Sequence, residues 1–333
     1  MEPAGARALP RRLMVCHVII HSLDEPAPMS EKIVLWKGHR PELHAIPLGG
    51  QETRHDALLD LLEQVERENS VARFGPLLIH THDTPITTAA DNWRSYAFCT
   101  APGFQDVPVP DFVFGGWPQV GIEDFDETCR AMAEAGGQPG ELPVAGWIGA
   151  TTTHPVRSVL HRLGQQHPDV LDVQQVEWVG DTTLGTPLAT SANNAISLPQ
   201  QVARWDALVD VEGAGYSGRL KLLLHSGRPV LIADRPWREW FWDRLIPMEH
   251  YVPVRRDLSD LVERARWLQS NPEDAARIGR SGQRLAQRLL TRASAAGQWA
   301  RTLSLAAHTP DQAWAPDPAR EALTPLLRLL GGA

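Results

Sequence analysis

The second half of this chain alternates short apolar runs with segments of helical periodicity, and this alternation constrains the fold more than any other feature. The apolar runs lie at residues 144–148, 170–173, 209–211 and 229–233. Strands that alternate with helices form a parallel sheet whose faces are covered by those helices. The sequence therefore predicts an α/β fold with a doubly wound parallel sheet in this half.

The domain organisation is indicated by the run Gly-Gly-Gln-Pro-Gly at 136–140, which interrupts all regular structure. Before it, we predict strands at 13–20, 32–36, 45–48 and 76–79 and a helix at 57–68. After the last predicted strand, helices are expected at 273–290 and 321–330. We therefore predict a first domain at 1–137, a second domain at 138–300, and a helical tail at 301–333 that packs back on the first domain.

The composition excludes several classes of protein. A formal charge of −8 over 333 residues argues against a general nucleic-acid binder. The three cysteines, Cys16, Cys99 and Cys129, are widely spaced and contain no CxxC, so neither a disulfide framework nor a zinc knuckle is indicated. The N-terminal segment lacks the apolar core of a signal peptide, and no apolar run has membrane length. We expect a cytoplasmic protein, with peripheral contact at the inner face of the membrane as one option.

The stretch at 213–234 combines a glycine-rich loop, a short apolar-periodic segment and a buried strand. We predict that its helix begins near Ser217, so that free N–H groups face the loop, with Arg219 and Lys221 close by. Such an arrangement attracts a phosphate or diphosphate. A solvated helix face in an ordinary α/β unit is the alternative. The motif is neither a P-loop nor a Rossmann fingerprint.

A second polar cluster follows the predicted strand at 76–79, in the run His-Thr-His-Asp-Thr-Pro. Asp83 stands just past the carboxyl end of that strand, where reacting groups collect in α/β folds, and a carboxylate there can act as a general base. His80 and His82 lie two residues apart on an extended chain and point the same way, as in metal-dependent hydrolases. A polar turn without function is the third interpretation.

A third polar cluster follows the strand at 144–148. Gly149, Thr151 and Thr152 offer backbone and hydroxyl donors to an anion at the junction with the next helix, and Arg157 adds charge. An ordinary threonine N-cap is the alternative interpretation.

Several linked motifs between residues 76 and 290 resemble glycosyltransferase family 90, the family that includes the protein O-glucosyltransferases. The strongest are Tyr-Ser-Gly-Arg-Leu-Lys-Leu-Leu-Leu-His-Ser-Gly, Trp-Arg-Glu-Trp-Phe-Trp and His-Tyr-Val-Pro-Val-Arg-Arg-Asp-Leu-Ser-Asp-Leu, in that order, followed by Ala-Ala-Arg-Ile-Gly-Arg-Ser-Gly-Gln. The Trp-Ile-Gly-Ala-Thr-Thr-Thr and His-Asp-Thr-Pro runs look like two further family segments. Ile148 departs from the pattern, because the family often has arginine before this glycine.

The resemblance implies a GT-B-like fold of two Rossmann-like domains facing a central cleft, and an inverting transferase that uses a UDP-sugar without a metal ion or other cofactor. It places the catalytic base at Asp83 and the diphosphate contact at Arg219, with Arg157 as a second basic contact and domain closure excluding water. The nucleotide-sugar residues it implies are Gly149, Thr151, Thr152, Arg157, Gly215, Tyr216, Ser217, Arg219 and Lys221.

Three functions are carried forward as hypotheses. The first is transfer of a sugar of the glucose or xylose class from a UDP-sugar to a hydroxyl of a glycan, a lipopolysaccharide or other lipid-linked glycan, or a protein. The second is a metal-dependent hydrolase built on His80 and His82. The third is a non-catalytic nucleotide-sugar-binding module, which the departure at Ile148 favours.

Overall fold

The structure is a computed structural model that describes residues 33–38, 42–44, 52–68, 74–88, 90, 95–176, 178–179, 189–190 and 196–307. The strands predicted at 13–20 and 45–48 and the helix predicted at 321–330 lie outside these residues. No helix in the described ranges is both long enough and apolar enough to cross a bilayer.

The N-terminal part forms a five-stranded mixed sheet. Its strands are Ile33–Gly38 (β1), Glu42–His44 (β2), Phe74–His80 (β3), Tyr96–Ala97 (β4) and Val107–Pro108 (β5), in the spatial order β2-β1-β3-β4-β5. β1 runs antiparallel to β2 and β3, whereas β3, β4 and β5 are parallel. A proline is tolerated in β5 because that strand is at the edge of the sheet.

The C-terminal part forms a second five-stranded sheet, and all of its strand pairs are parallel. Its strands are Leu142–Gly149 (β6), Leu171–Gln175 (β7), Trp205–Asp210 (β10), Val230–Ala233 (β11) and Val252–Val254 (β12), in the order β12-β11-β10-β6-β7. A separate small hairpin pairs Trp178–Val179 (β8) with Ala189–Thr190 (β9). The strand order reverses between β6 and β10, and ligands of open α/β sheets bind outside the strand ends at such a reversal.

Eight helices pack around the two sheets in the described residues. They are Glu52–Glu68 (α1), Phe125–Gly136 (α2), Pro155–Gln166 (α3), Leu198–Arg204 (α4), Leu220–His225 (α5), Leu261–Ser270 (α6), Pro272–Leu289 (α7) and Arg292–Ala307 (α8). Short polar side chains fix two helix starts. Asp124 accepts a hydrogen bond from Glu127 N at 2.7 Å before α2, and Ser197 forms a capping box with Gln200 before α4.

The two sheets are joined through several direct contacts. Thr100 and Arg238 exchange two backbone hydrogen bonds of 2.9 and 2.7 Å across the boundary. The last helix, α8, returns to the N-terminal part, where it packs on α1 and β3, and the buried indole of Trp299 donates to Pro110 O at 2.9 Å. The C-terminal end of the described chain therefore completes the N-terminal core.

The α/β fold class and the GT-B-like pair of sheets predicted from the sequence are confirmed. The boundaries at 137 and 300 stay predictions, although residues 301–307 belong to α8, which packs on α1. One local assignment was wrong, because helix α5 begins at Leu220 rather than near Ser217.

Candidate active site

The loop after β10 lies directly against Asp83 of the N-terminal part. Tyr216 N donates to the Asp83 carbonyl oxygen at 3.2 Å. A Cβ on Gly215 would lie 1.7 Å from the same oxygen, so only glycine permits this approach. The structure therefore brings the predicted base and the predicted nucleotide-binding loop together, although they are more than 130 residues apart in the sequence.

Asp83 follows β3, as predicted, and its carboxylate is partly open to solvent. Arg54 of α1 donates from Nη1 to Asp83 Oδ1 at 2.9 Å. The buried thiol of Cys99 lies 3.4 Å from the Asp83 carbonyl oxygen. The backbone of Asp83 is thus fixed from two sides, while its carboxylate is oriented by a cation from the first helix.

Arg219 lies at the strand-order reversal between β6 and β10. Its Nη1 donates to Ile148 O at 2.8 Å, and its Nε lies 3.7 Å from Asp210 Oδ1. The guanidinium carbon lies 5.4 Å from the centre of the Trp147 ring. Burial lowers the pKa of Arg219, although the nearby Asp210 charge opposes that shift. The backbone carbonyl of Ile148 therefore orients Arg219.

Arg157 lies on the neighbouring helix α3 and contacts the same Trp147 ring as Arg219. Its guanidinium carbon lies 5.5 Å from the centre of that ring. Its Nε donates to Glu212 O at 2.9 Å and its Nη1 to Ala150 O at 3.1 Å. Burial lowers the pKa of Arg157 to about 10, and the charge of Arg219 acts in the same direction. Arg157 therefore remains charged at neutral pH and connects the ends of β6 and β10.

Arg235 is a third arginine in this group, and the sequence analysis missed it. It lies just past β11, its side chain is fully buried, and its Nη1 donates to Asp210 Oδ2 at 2.6 Å. Its guanidinium carbon lies 5.2 Å from the centre of the Trp242 ring. The signal was available, because Arg235 follows a buried strand just as Asp83 does.

This group of arginines holds buried N–H donors that have no hydrogen-bond partner among the described residues. They are Nη2 of Arg219, and Nε and Nη2 of Arg235. The carboxylate of Asp210 is the acceptor that Arg235 and Ser217 share, Ser217 Oγ donating to it at 2.6 Å. Because unpaired buried donors are costly, this end of the sheet suits an anion with several acceptor oxygens.

Lys221 is placed differently from what the predicted ligand contact requires. Its ammonium lies 2.8 Å from Asp111 Oδ2, 2.8 Å from Gly218 O and 3.5 Å from Glu239 Oε1. Asp111 and Gly218 engage two of the three N–H donors of this ammonium, and Glu239 adds an ion pair without a hydrogen bond. Lys221 and Asp111 are almost fully buried, so in this arrangement Lys221 joins the two halves of the molecule instead of facing a diphosphate.

The predicted anion site at a helix start also needs correction. Helix α5 has only six residues, and the hydroxyl of Ser217 donates to Asp210 rather than capping the helix. Tyr216 is buried, and burial raises the pKa of its phenol. The positive charge at this site comes from the arginines, while Gly215 and Tyr216 hold the loop against Asp83.

The remaining predicted residues lie beyond the end of β6. Gly149 packs against the Trp147 ring, which a Cβ there would meet at 2.7 Å. Thr151 is half-buried and Thr152 is exposed, in a short 3-10 helix at Thr151–Thr153 that leads to α3. The contact of these residues with a ligand stays a prediction.

No group of three or more His, Cys, Asp or Glu side chains with metal-binding geometry occurs in the part of the chain that the structure describes. The side chain of His80 lies outside the described residues. His82 is half-buried in the loop that follows β3. The hydrolase hypothesis for His80 and His82 therefore stays a prediction without further ligands from the described residues.

Comparison with known proteins identifies the family of this chain. The family described as "Glycosyl transferase family 90" matches residues 70–303, which include β3, β4 and β5 of the first sheet, all of the second five-stranded sheet and the arginine group. The chain belongs to glycosyl transferase family 90. The match begins close to β3 and ends within α8, so the family extends further toward the C-terminus than the resemblance seen in the sequence.

The sequence matches between this family member and its relatives extend over only part of each chain. "Uncharacterized protein 035R" of Invertebrate iridescent virus 3 is 30% identical over 201 residues, which are 53% of this chain and 18% of the viral protein. "Protein O-glucosyltransferase 1" of Rattus norvegicus is 26% identical over 200 residues, 56% of this chain and 50% of that protein. "Protein O-glucosyltransferase 3" of Homo sapiens is 40% identical over 82 residues, 25% of this chain and 16% of that protein. The chain thus matches half or less of each of these relatives.

Two solved structures resemble the family member at a coarse level. The crystal structure of TarM gives a TM-score of 0.36 with 14% identity, covering 50% of this chain and 36% of that chain. Anabaena Alr3699/HepE in complex with UDP gives a TM-score of 0.33 with 14% identity, covering 57% of this chain and 46% of that chain. Scores at this level carry no argument about the site.

Proposed function

We propose that this family 90 protein transfers a sugar from a UDP-sugar to a hydroxyl acceptor with inversion at the anomeric carbon. The observation that carries the proposal is the contact between Asp83 and the loop at 213–217, because it places a carboxylate beside a group of buried arginines at a strand-order reversal. The names of the mammalian relatives favour glucose as the sugar.

In the proposed reaction, the arginine group holds the diphosphate. The bond between the anomeric carbon and the β-phosphate oxygen breaks, and negative charge grows on the departing UDP. Arg219, whose side chain is 18% exposed, has an unpaired N–H donor that can bind this charge, and the fully buried Arg235 adds positive charge nearby. Asp210 holds both guanidinium groups. Fixed donors aimed at developing charge are worth about 3–4 kcal/mol each in barrier height. These residues stabilise the leaving group without requiring a metal ion.

On the other side of the sugar, Asp83 takes the proton of the acceptor hydroxyl. The acceptor oxygen then forms the new bond to the anomeric carbon from the face opposite to the leaving diphosphate, which inverts that centre. General-base catalysis of this kind contributes about 10²–10⁴-fold. The fixed backbone of Asp83, held by Tyr216, keeps the base at a constant distance from the loop that carries Arg219.

The proposal is tested by two variants with one matched control. Arg219→Ala should weaken UDP binding at least tenfold in a titration, because a charged hydrogen-bond donor is removed from the diphosphate site. Asp83→Asn should keep UDP affinity and lose at least a hundredfold in donor turnover. Arg266→Ala removes an exposed arginine that pairs with Asp169 and should change neither. Full turnover in Asp83→Asn, or unchanged UDP affinity in Arg219→Ala, would refute the assignment.

A further inference from the structure

The ion pair between Arg54 and Asp83 is a feature that sugar transfer alone does not explain. Arg54 lies in the first turn of α1, and its side chain is only 16% exposed. Its guanidinium carbon lies 4.9 Å from the centre of the Phe112 ring and 6.0 Å from that of Trp117. The aromatic rings and the carboxylate therefore hold a cation in a fixed position beside the proposed base.

A cation beside a general base opposes the reaction when the acceptor is neutral. While Asp83 is ionised, the two charges compensate each other. When Asp83 takes the acceptor proton it becomes neutral, and Arg54 is left as a largely buried cation without its counter-charge. An uncompensated buried charge is strongly unfavourable. A negative group brought by the acceptor would compensate Arg54 at that moment.

The N–H groups of Arg54 are suited to binding an anionic group of the acceptor. A guanidinium has five N–H donors, and the hydrogen bond from Nη1 to Asp83 uses one of them. Its planar fork matches a carboxylate or a phosphate with two parallel hydrogen bonds. The neighbouring Trp117 ring packs close to the loop that carries Arg219, because a Cβ on Gly218 would lie 3.1 Å from it. Arg54 therefore contacts both the base and a ring that packs close to this loop.

We propose that Arg54 is an acceptor-binding residue that selects an acceptor with an anionic group, a carboxylate or a phosphate, next to the hydroxyl that is glycosylated. This inference rests on the proposed function, since it assigns Asp83 as the base. It adds the chemistry of the acceptor, which neither the family nor its relatives' names define for this chain.

The test compares three acceptor analogues on one sugar ring: methyl glucoside as the neutral probe, methyl glucuronide as the carboxylate probe and methyl glucoside 6-phosphate as the phosphate probe. Each is titrated in the presence of UDP against the wild type, Arg54→Met, Arg54→Lys and Arg67→Met. Arg67 is a matched control, because it lies on the same helix and its side chain is 64% exposed. Transfer to each probe is then measured as kcat/KM.

We expect at least one anionic probe to bind the wild type about tenfold or more tightly than the neutral probe, in line with charge-assisted hydrogen bonds. Arg54→Met should lose that preference, and Arg54→Lys should keep part of it. The anionic probe that binds the wild type more tightly than the neutral probe identifies the anionic group as a carboxylate or a phosphate. Arg67→Met should behave as the wild type.

Two results would overturn the inference. In the first, no anionic probe binds the wild type better than the neutral one. In the second, Arg54→Met reduces kcat for all three probes equally, which would make Arg54 a positioning residue for Asp83 alone. The titrations and the transfer assay separate this inference from the proposed function. If the wild type binds an anionic probe through Arg54 but transfers sugar to none of the three probes, sugar transfer fails, whereas the role of Arg54 in acceptor binding stands.

Discussion

Replacing Gly215 with alanine tests the contact between the two halves of the site, because a side chain there collides with the backbone of Asp83. The new Cβ would lie 1.7 Å from the Asp83 carbonyl oxygen and 2.4 Å from its carbonyl carbon, whereas ordinary contact begins at 3.4 Å. The obstacle is backbone on both sides, so no side-chain rotation relieves it. The loop and Asp83 must separate by about 1.7 Å, which breaks the 3.2 Å hydrogen bond from Tyr216 N.

The expected magnitude follows from these two losses. Overpacking typically destabilises by about 1–3 kcal/mol and a lost hydrogen bond by about 1 kcal/mol, so Gly215→Ala should destabilise the protein by about 2–4 kcal/mol. For a chain of this size that corresponds to a fall in Tm of roughly 3–6 °C. Displacing the base by more than about 1 Å should also reduce transfer on the order of a hundredfold.

The assay combines thermal unfolding with donor turnover at a temperature at which the variant is folded. Gly297→Ala is the control, because its Cβ would meet only the end of the Arg301 side chain at 3.8 Å and should leave Tm and turnover unchanged or slightly raised. If Gly215→Ala unfolds at the wild-type temperature and transfers sugar at the wild-type rate, the loop does not contact Asp83 as described.

Three further perturbations have defined outcomes. Lys221→Met leaves the buried carboxylates of Asp111 and Glu239 without their ammonium, so denaturant unfolding should show a loss of about 3–5 kcal/mol, and a loss below 1 kcal/mol would contradict the buried pairing. Burial raises the pKa of Glu239 to about 7, whereas the ordinary value is 4.5. Between these two pH values the folded protein holds a proton that the unfolded chain has released. The contribution of Glu239 to the free energy of unfolding is therefore present at low pH and declines as the pH rises toward 7. Glu239→Gln should therefore flatten the fall in unfolding free energy between pH 5 and pH 8, and an unchanged slope would refute this titration. Asp210→Asn replaces the carboxylate that holds Arg219, Arg235 and Ser217, so UDP affinity in a titration should fall at least tenfold, whereas unchanged affinity would show that this carboxylate does not organise the site.

The parallel sheet of the second half was predictable because its signals are local. The runs predicted at 144–148, 170–173 and 229–233 correspond to β6, β7 and β11 within a few residues. Strands buried on both faces appear as continuous apolar runs, and glycine or proline marks their ends. The position of Asp83 after β3 follows from the same rule.

Side-chain pairing across the two halves was not predictable from such patterns. Lys221 looks like a solvated or phosphate-binding lysine until Asp111, 110 residues earlier, is known to lie beside it. The hydroxyl of Ser217 resembles a helix cap, but Asp210 offers it a charged acceptor, and the helix starts three residues later. Long-range partners decide the role of a polar residue, and periodicity contains no information about them.

The backbone pair between Thr100 and Arg238 bears on how substrates enter and leave. Together with the buried ion pair between Lys221 and Asp111, these two hydrogen bonds join the N-terminal and C-terminal parts of the molecule. A clamshell-like opening would break both backbone hydrogen bonds and expose two opposite charges that are now dry. The domain closure implied by the family resemblance would therefore have to break and remake these contacts in every cycle of the proposed transfer.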